Sequence, residues 1–217
     1  MGMPGWHVVS DFIKVLSKEG RLVRLYRGQP NAEWQLIPSI FRSNTNGIRN
    51  DSALYKWKQL ASRFASPLPI DNIEWLVLAQ HYGLATPLLD WTTSPLVALY
   101  FACDDETQSH APGAVWTIDR THFQDAHNTL TIHAFGADRD KPFLINAVGR
   151  NPRSTAQDSF MSLHTDSDYE TLPTEKIFEV EPSQKQDTIL TLGKLGLTAE
   201  RLHFDITKLV ARIKEDL

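Results

Sequence analysis

The chain has 217 residues, 41% of them apolar, with ten Phe and six Trp, which is enough for one domain with a full hydrophobic core. A formal charge of −4 and a pI of about 6.0 argue against a general nucleic-acid or anionic-membrane binder and leave room only for a local basic cleft. The single cysteine, Cys103, excludes an internal disulfide and a cysteine-rich metal site. No apolar run approaches about 18 residues, so no spanning helix is expected. The start lacks a basic segment followed by an apolar run, so the expectation is a cytoplasmic protein. The eight His include no HExxH pair, and no metal site is expected.

In chain order, Ser10 opens an amphipathic helix with Phe12, Ile13 and Leu16 inward, closed at Gly20. Residues 21–26 alternate as a strand and end in a turn at 27–30. Residues 34–37 read as a second short strand, and 43–51 as a polar loop. Asp51 or Ser52 starts a helix carrying Leu54, Trp57, Leu60 and Phe64. Asp71 starts another with Ile73, Leu76, Val77 and Gln80, stopped by Gly83. A strand at Leu88 and Leu89 turns through 90–95 into an apolar helix. There Ser94 is the N-cap and Pro95 the first helical residue, and Asp104, Asp105 and Glu106 mark the solvent end. Strands follow at 114–118, 131–134, 143–147, 160–164 and 177–180. A helix capped by Ser183 runs to Leu195, and a last one covers 205–216. The sum is an α/β (α+β) fold in a single domain, 1–217, with a mixed, mostly antiparallel sheet and packed helices.

Polar residues at the ends of apolar segments are the candidate site. Arg27, at a strand end, offers a planar fork suited to phosphate or ribose, and reads equally as a buried partner of Asp90. Gly28 lets backbone approach a ligand or turns the chain. Asp90, Thr92, Thr93 and Ser94 suit a ribose or phosphate site beside the N–H groups of the following helix, or serve as caps alone. His81 and Tyr82 suit stacking or proton transfer, with a structural hydrogen bond as the plainer reading of His81. Arg153 and Gln157 stand four residues apart and fall on one face if their segment is helical, closing the same cleft or forming a surface pair.

The order Tyr26, Arg27, Gly28, Gln29, then Trp34, Pro38, Ser39, Phe41 and Arg42, then LAQHYG at 78–83, then LLDWTTSP at 88–95 with Ala98, Phe101 and Ala102, resembles the FRG domain family. The resemblance is strong over about residues 22–118 and weak over 150–217. Tyr26 stands where the family name has Phe. A more distant resemblance to the ADP-ribosyltransferase fold matches Arg27 to the arginine that ends the first core strand, and Thr92, Thr93 and Ser94 to the strand that leads into a helix. Of the glutamates, Glu179 and Glu181 are nearest in form to the last element, and Gln157 to the family's late Arg-and-Gln motif.

These resemblances imply a bacterial, ADP-ribosyltransferase-like protein that binds NAD as a substrate, of toxin or antiviral defence type. As an enzyme it would be an ADP-ribosyltransferase or NAD glycohydrolase. Its catalytic set would be Arg27, Thr92, Ser94, Gln157, Glu179 and Glu181. NAD would be held by Arg27, Gly28, Gln29, His81, Tyr82, Asp90, Trp91, Thr93 and Arg153. The implied partners are a nucleotide ligand and a macromolecular acceptor or partner protein, with no membrane. The alternative is a non-catalytic module for a nucleotide, a nucleic acid or a protein, with Trp34, Trp75 and Trp91 as stacking or anchor residues.

Overall fold

A seven-stranded sheet organises the molecule. The computed structural model describes residues 5–18, 20, 23–136, 140–147, 155–166, 168–203, 210 and 213. The strands are β1 (Arg24–Gln29), β2 (Leu88–Thr92), β3 (Gly113–Asp119), β4 (Gln124–Asp125), β5 (Phe143–Asn146), β6 (Ser159–Leu163) and β7 (Glu175–Val180), in the spatial order β4-β5-β6-β2-β1-β3-β7. Only β4 and β5 pair in parallel; the other neighbours are antiparallel. The helices are α1 (Trp6–Leu16), α2 (Asp51–Ala61), α3 (Asn72–His81), α4 (Pro95–Cys103), α5 (Lys185–Lys194) and α6 (Ala199–His203). The expected mixed, mostly antiparallel α/β architecture is therefore the one found. Among the described residues no helix is long and apolar enough to cross a membrane.

Successive strand residues face opposite sides of a sheet. On one face α1, α4 and α5 bury Val9, Phe12, Leu99 and Leu192 against Tyr26, Val115 and Val180. Beside them α2 and α3 bury Leu54, Ile73 and Leu76 against Leu88, Ile145, Met161 and Leu163. On the other face Leu25, Leu89, Trp91, Ile118, Leu144 and Phe160 form a layer under Phe123, Leu36 and Leu172. In β2, Leu88, Asp90 and Thr92 thus face the helices, while Leu89 and Trp91 face the opposite layer. A charged residue, Asp90, holds a position that the pattern reserves for a core side chain.

Several local signals act as their chemistry dictates. Asn50 caps α2 by accepting from Ala53 N at 2.9 Å. Asp71 caps α3 by accepting from Glu74 N at 2.8 Å, and its other oxygen accepts from the Thr129 hydroxyl at 2.5 Å. Both bonds are lost in Asp71→Ala, so chemical denaturation should show a loss of about 1–2 kcal/mol. Gly83 ends α3 with φ of +84°. Gly28 and Gly113 let α4 lie directly on the sheet: a Cβ at Gly28 would stand 1.9 Å from the Ala98 oxygen, and one at Gly113 2.0 Å from the Ala102 oxygen.

Other expectations are corrected. The first helix starts at Trp6, not Ser10, and turns Val8, Val9 and Phe12 inward while Ile13 is exposed. β1 continues through Arg27, Gly28 and Gln29, because pairing with Trp116, Val115 and Ala114 holds them extended instead of in a turn. β2 likewise continues through Thr92 by pairing with β6. Residues 34–37 and 131–134 are not strands. α2 ends at Ala61, so Phe64 falls beyond it and is 86% exposed, while Leu60 lies on an exposed face of the helix itself. The helix capped by Ser183 begins instead at Lys185, after a 3₁₀ turn over Pro182–Gln184. The helix expected at 205–216 lies largely outside the described residues.

Candidate functional site

Above β1, β2 and β6, the packing of α3 and that of α4 leave a cavity of about 300 Å³ between them. Val77, Gln80 and His81 line it from α3. Val97, Ala98 and Phe101 line it from α4, and so does Asp104, the residue that caps α4. The spacing of 97, 101 and 104 is that of one helical face. The sheet contributes Tyr26, Gly28, Asp90, Thr92, Ser159 and Met161, and Arg27 and Gln157 complete the polar lining.

The polar groups are coupled. β1 and β2 share one Cα pair, Tyr26 with Thr92. Arg27 bridges them where the ladder ends: its Nη1 donates to the Asp90 carbonyl at 2.8 Å and lies 3.8 Å from the Asp90 carboxylate. Burial pushes the Arg27 pKa down, the Asp90 charge opposes this, and Arg42 adds to the lowering. A guanidinium starts so high that it stays charged. Among the described residues its buried Nε has no hydrogen-bond partner. The Asp90 carboxylate receives Gln80 Nε2 on both oxygens at 2.8 Å, and the Thr86 hydroxyl donates to Gln80 Oε1. Thr92 Oγ1 donates to the Gln157 carbonyl at 2.6 Å and accepts from Ser94 N at 3.0 Å. Gln157 Nε2 donates to the Leu202 carbonyl at 2.7 Å, which ties α6 to this corner. At the other end of the lining, Asp104 Oδ2 lies 2.6 Å from His203 Nε2.

Of the residues singled out from sequence, the cavity brings together Arg27, Gly28, His81, Asp90, Thr92 and Gln157. Arg27 and Asp90 share one site and are partners, which is the second of the two readings of Arg27. The remaining members of the list stand elsewhere. Gln29 is buried with its Nε2 on the Gln35 carbonyl at 3.4 Å. Tyr82 is 71% exposed and meets His81 edge-on at 5.1 Å. Trp91 borders the cavity along β2, but its ring is buried in the opposite layer, with Nε1 donating to Ser162 Oγ at 2.8 Å. Thr93 is exposed, and Ser94 makes no side-chain cap bond, while its N–H donates to Thr92 Oγ1.

Glu179 and Glu181 do not line the cavity. β7 is an edge strand separated from β1 by β3, and Glu179 is exposed and paired with Lys176. Arg153 lies outside the described residues. Sequence reasoning left Gln80 and Asp104 out of the site. Gln80 had a signal in its inward helical position. Asp104 had one in its helical spacing from Val97 and Phe101, obscured by the acidic residues that follow it. Cys103 is inert: burial pushes its thiol up to about 12, against the opposing charge of Lys185.

A second polar chain has triad order without triad access. Ser162 Oγ lies 2.6 Å from His164 Nε2, and His164 Nδ1 lies 2.8 Å from Asp168 Oδ1, which also holds Thr165 N through its other oxygen at 3.0 Å. Ser162 is 0% exposed and His164 1%, and the Trp91 indole already occupies the hydroxyl. No substrate reaches that oxygen, so this is a satisfied core network. His164→Ala should cost about 1–3 kcal/mol in a thermal or denaturant melt by stranding its partners, and leave ligand affinity at the cavity unchanged.

The class is thus a mixed α/β protein whose mostly antiparallel sheet carries a cavity lined by one half-buried arginine, two aspartates and an apolar helix face. Residues 23–111 match the FRG domain family model. The match runs from before β1 to just beyond α4 and includes the whole lining except Gln157, Ser159 and Met161. No curated protein and no solved structure matches the chain.

Proposed function

We propose that this cavity binds NAD and that the chain is an ADP-ribosyltransferase-like protein that cleaves it or transfers its ADP-ribose, as an effector of toxin or phage-defence type. The observation that carries the reading is the convergence of Arg27, Asp90, Thr92 and Gln157 on one cavity from separate parts of the sequence. Such a mixture of an apolar helix face with a few fixed polar groups suits a nucleoside: the apolar side takes the base or ring, and the carboxylates and amides take ribose hydroxyls. Arg27 supplies the only described cation among the lining groups of fixed charge, and a charged fork suits a phosphate at the cavity's edge. A binding module without turnover is the second reading, favoured by the position of Glu179 and Glu181 away from the cavity.

Titration calorimetry of the folded wild type with NAD is the test. Binding with a dissociation constant below about 1 mM is expected, beyond which the interaction is weaker than roughly 4 kcal/mol. A folded protein that takes up no heat at that concentration retires the NAD reading and leaves the module.

A further inference from the structure

We infer that Asp104, held by His203, is the carboxylate that acts on the ribose in this cavity, an inference that rests on the NAD reading above. Loss of nicotinamide builds positive charge at the ribose carbon, and a fixed negative group facing that carbon lowers the barrier. Only two described carboxylates line the cavity, Asp90 and Asp104. Asp90 takes Gln80 Nε2 on both oxygens and stands 3.8 Å from the Arg27 guanidinium, so it is committed to the network that joins α3, β1 and β2. Asp104 sits at the C-cap of α4, one turn beyond Phe101, at the end of the helix face that lines the cavity.

His203 serves as a positioning residue for it. The Nε2 to Oδ2 separation is 2.6 Å, across 99 residues of sequence. The imidazole is held edge-on by Phe101 at 5.6 Å and Tyr100 at 6.5 Å. Its helix is anchored by buried Leu202, whose carbonyl holds Gln157. A ring so confined, together with the side-chain hydrogen bond between Tyr100 and Asp104, fixes the orientation of the carboxylate.

The step balances with water as co-reactant. The bond between the ribose C1′ and the nicotinamide nitrogen breaks, and nicotinamide leaves with the electron pair. The Asp104 carboxylate stabilises the oxocarbenium ion. Water adds to C1′ and gives up its proton, ultimately to solvent, yielding ADP-ribose and nicotinamide. An acceptor hydroxyl or amine in place of water would give ADP-ribosylation by the same path.

Nicotinamide release and NAD calorimetry on the full chain test this, with a thermal melt of each variant. Asp104→Asn should slow release by about 10²–10³ at unchanged NAD affinity, the scale for one preorganised electrostatic group. Asp104→Glu should recover part of the rate. His203→Ala should lower the turnover rate with little change in KM, and His203→Gln, which keeps a donor near the carboxylate, should retain more of it. Wild-type turnover in a folded Asp104→Asn protein overturns the assignment. So does a wild type that binds NAD and releases no nicotinamide, which leaves the binding half of the NAD reading intact. Absence of NAD binding by the wild type removes both.

Discussion

Gly28→Ala is expected to destabilise the fold and distort the cavity. The added Cβ would lie 1.9 Å from the Ala98 oxygen and 2.6 Å from the Ala102 nitrogen, all of them backbone atoms. No rotamer change relieves such contacts, so α4 must lift from β1. Overpacking of this kind costs about 1–3 kcal/mol, and we place Gly28→Ala at the upper end because the obstacle is the backbone of a buried helix. Lifting α4 also displaces Phe101 and Asp104, so ligand affinity should fall more than the loss of folded protein explains. Gly20→Ala is the control, since nothing lies within 4 Å of a Cβ there. A Gly28→Ala protein with wild-type melting temperature would mean that α4 does not rest on this glycine.

Signals confined to a few residues could be read directly from the sequence. Asp71 before an apolar period, Gly83 after it and Pro95 after Ser94 each act through neighbouring backbone groups, so their effect is local. The readings that failed depended on distant partners. The run from Asp90 to Pro95 has turn composition, yet pairing with β6 keeps Asp90, Trp91 and Thr92 extended. Polar residues on the cavity side of a strand resemble turn residues until the sheet is known.

Phe64 continues the apolar spacing of α2, but the helix stops at Ala61, and Leu60 is exposed although it lies within the helix, because only tertiary packing decides which apolar residues are covered. The site divides the same way. Arg27, Asp90 and Thr92 were visible as polar ends of apolar segments. The distance of Glu179 from them follows from the order β2-β1-β3-β7, which no local pattern encodes. Asp104 looked like a solvent end because its partner His203 arrives from the far end of the chain.

Arg27→Ala separates the two roles that one side chain holds. Breaking a buried ion pair costs about 3–5 kcal/mol when the remaining charge is stranded. Here the remaining Asp90 side chain is 50% exposed and keeps Gln80, so that penalty is largely absent. What disappears is the charged hydrogen bond that joins β2 to β1 beyond their single Cα pair, worth about 1.5–3 kcal/mol. For a chain of this length each 1 kcal/mol corresponds to about 2–4 °C, so the melting temperature should fall by roughly 3–12 °C and leave a folded protein at room temperature.

NAD affinity of that folded protein should drop by about ten-fold or more, the equivalent of one lost charge-assisted contact of about 1.4 kcal/mol. Asp90→Asn should weaken the Arg27 side of the pair while preserving the Gln80 contact through its remaining carbonyl oxygen, and so should cost less in both assays. A melt that falls while NAD affinity holds would assign Arg27 to the sheet alone. An affinity that falls with the melt unchanged would assign it to the ligand alone. The bridge to Asp90 and the place of the guanidinium in the cavity lining together require both to move.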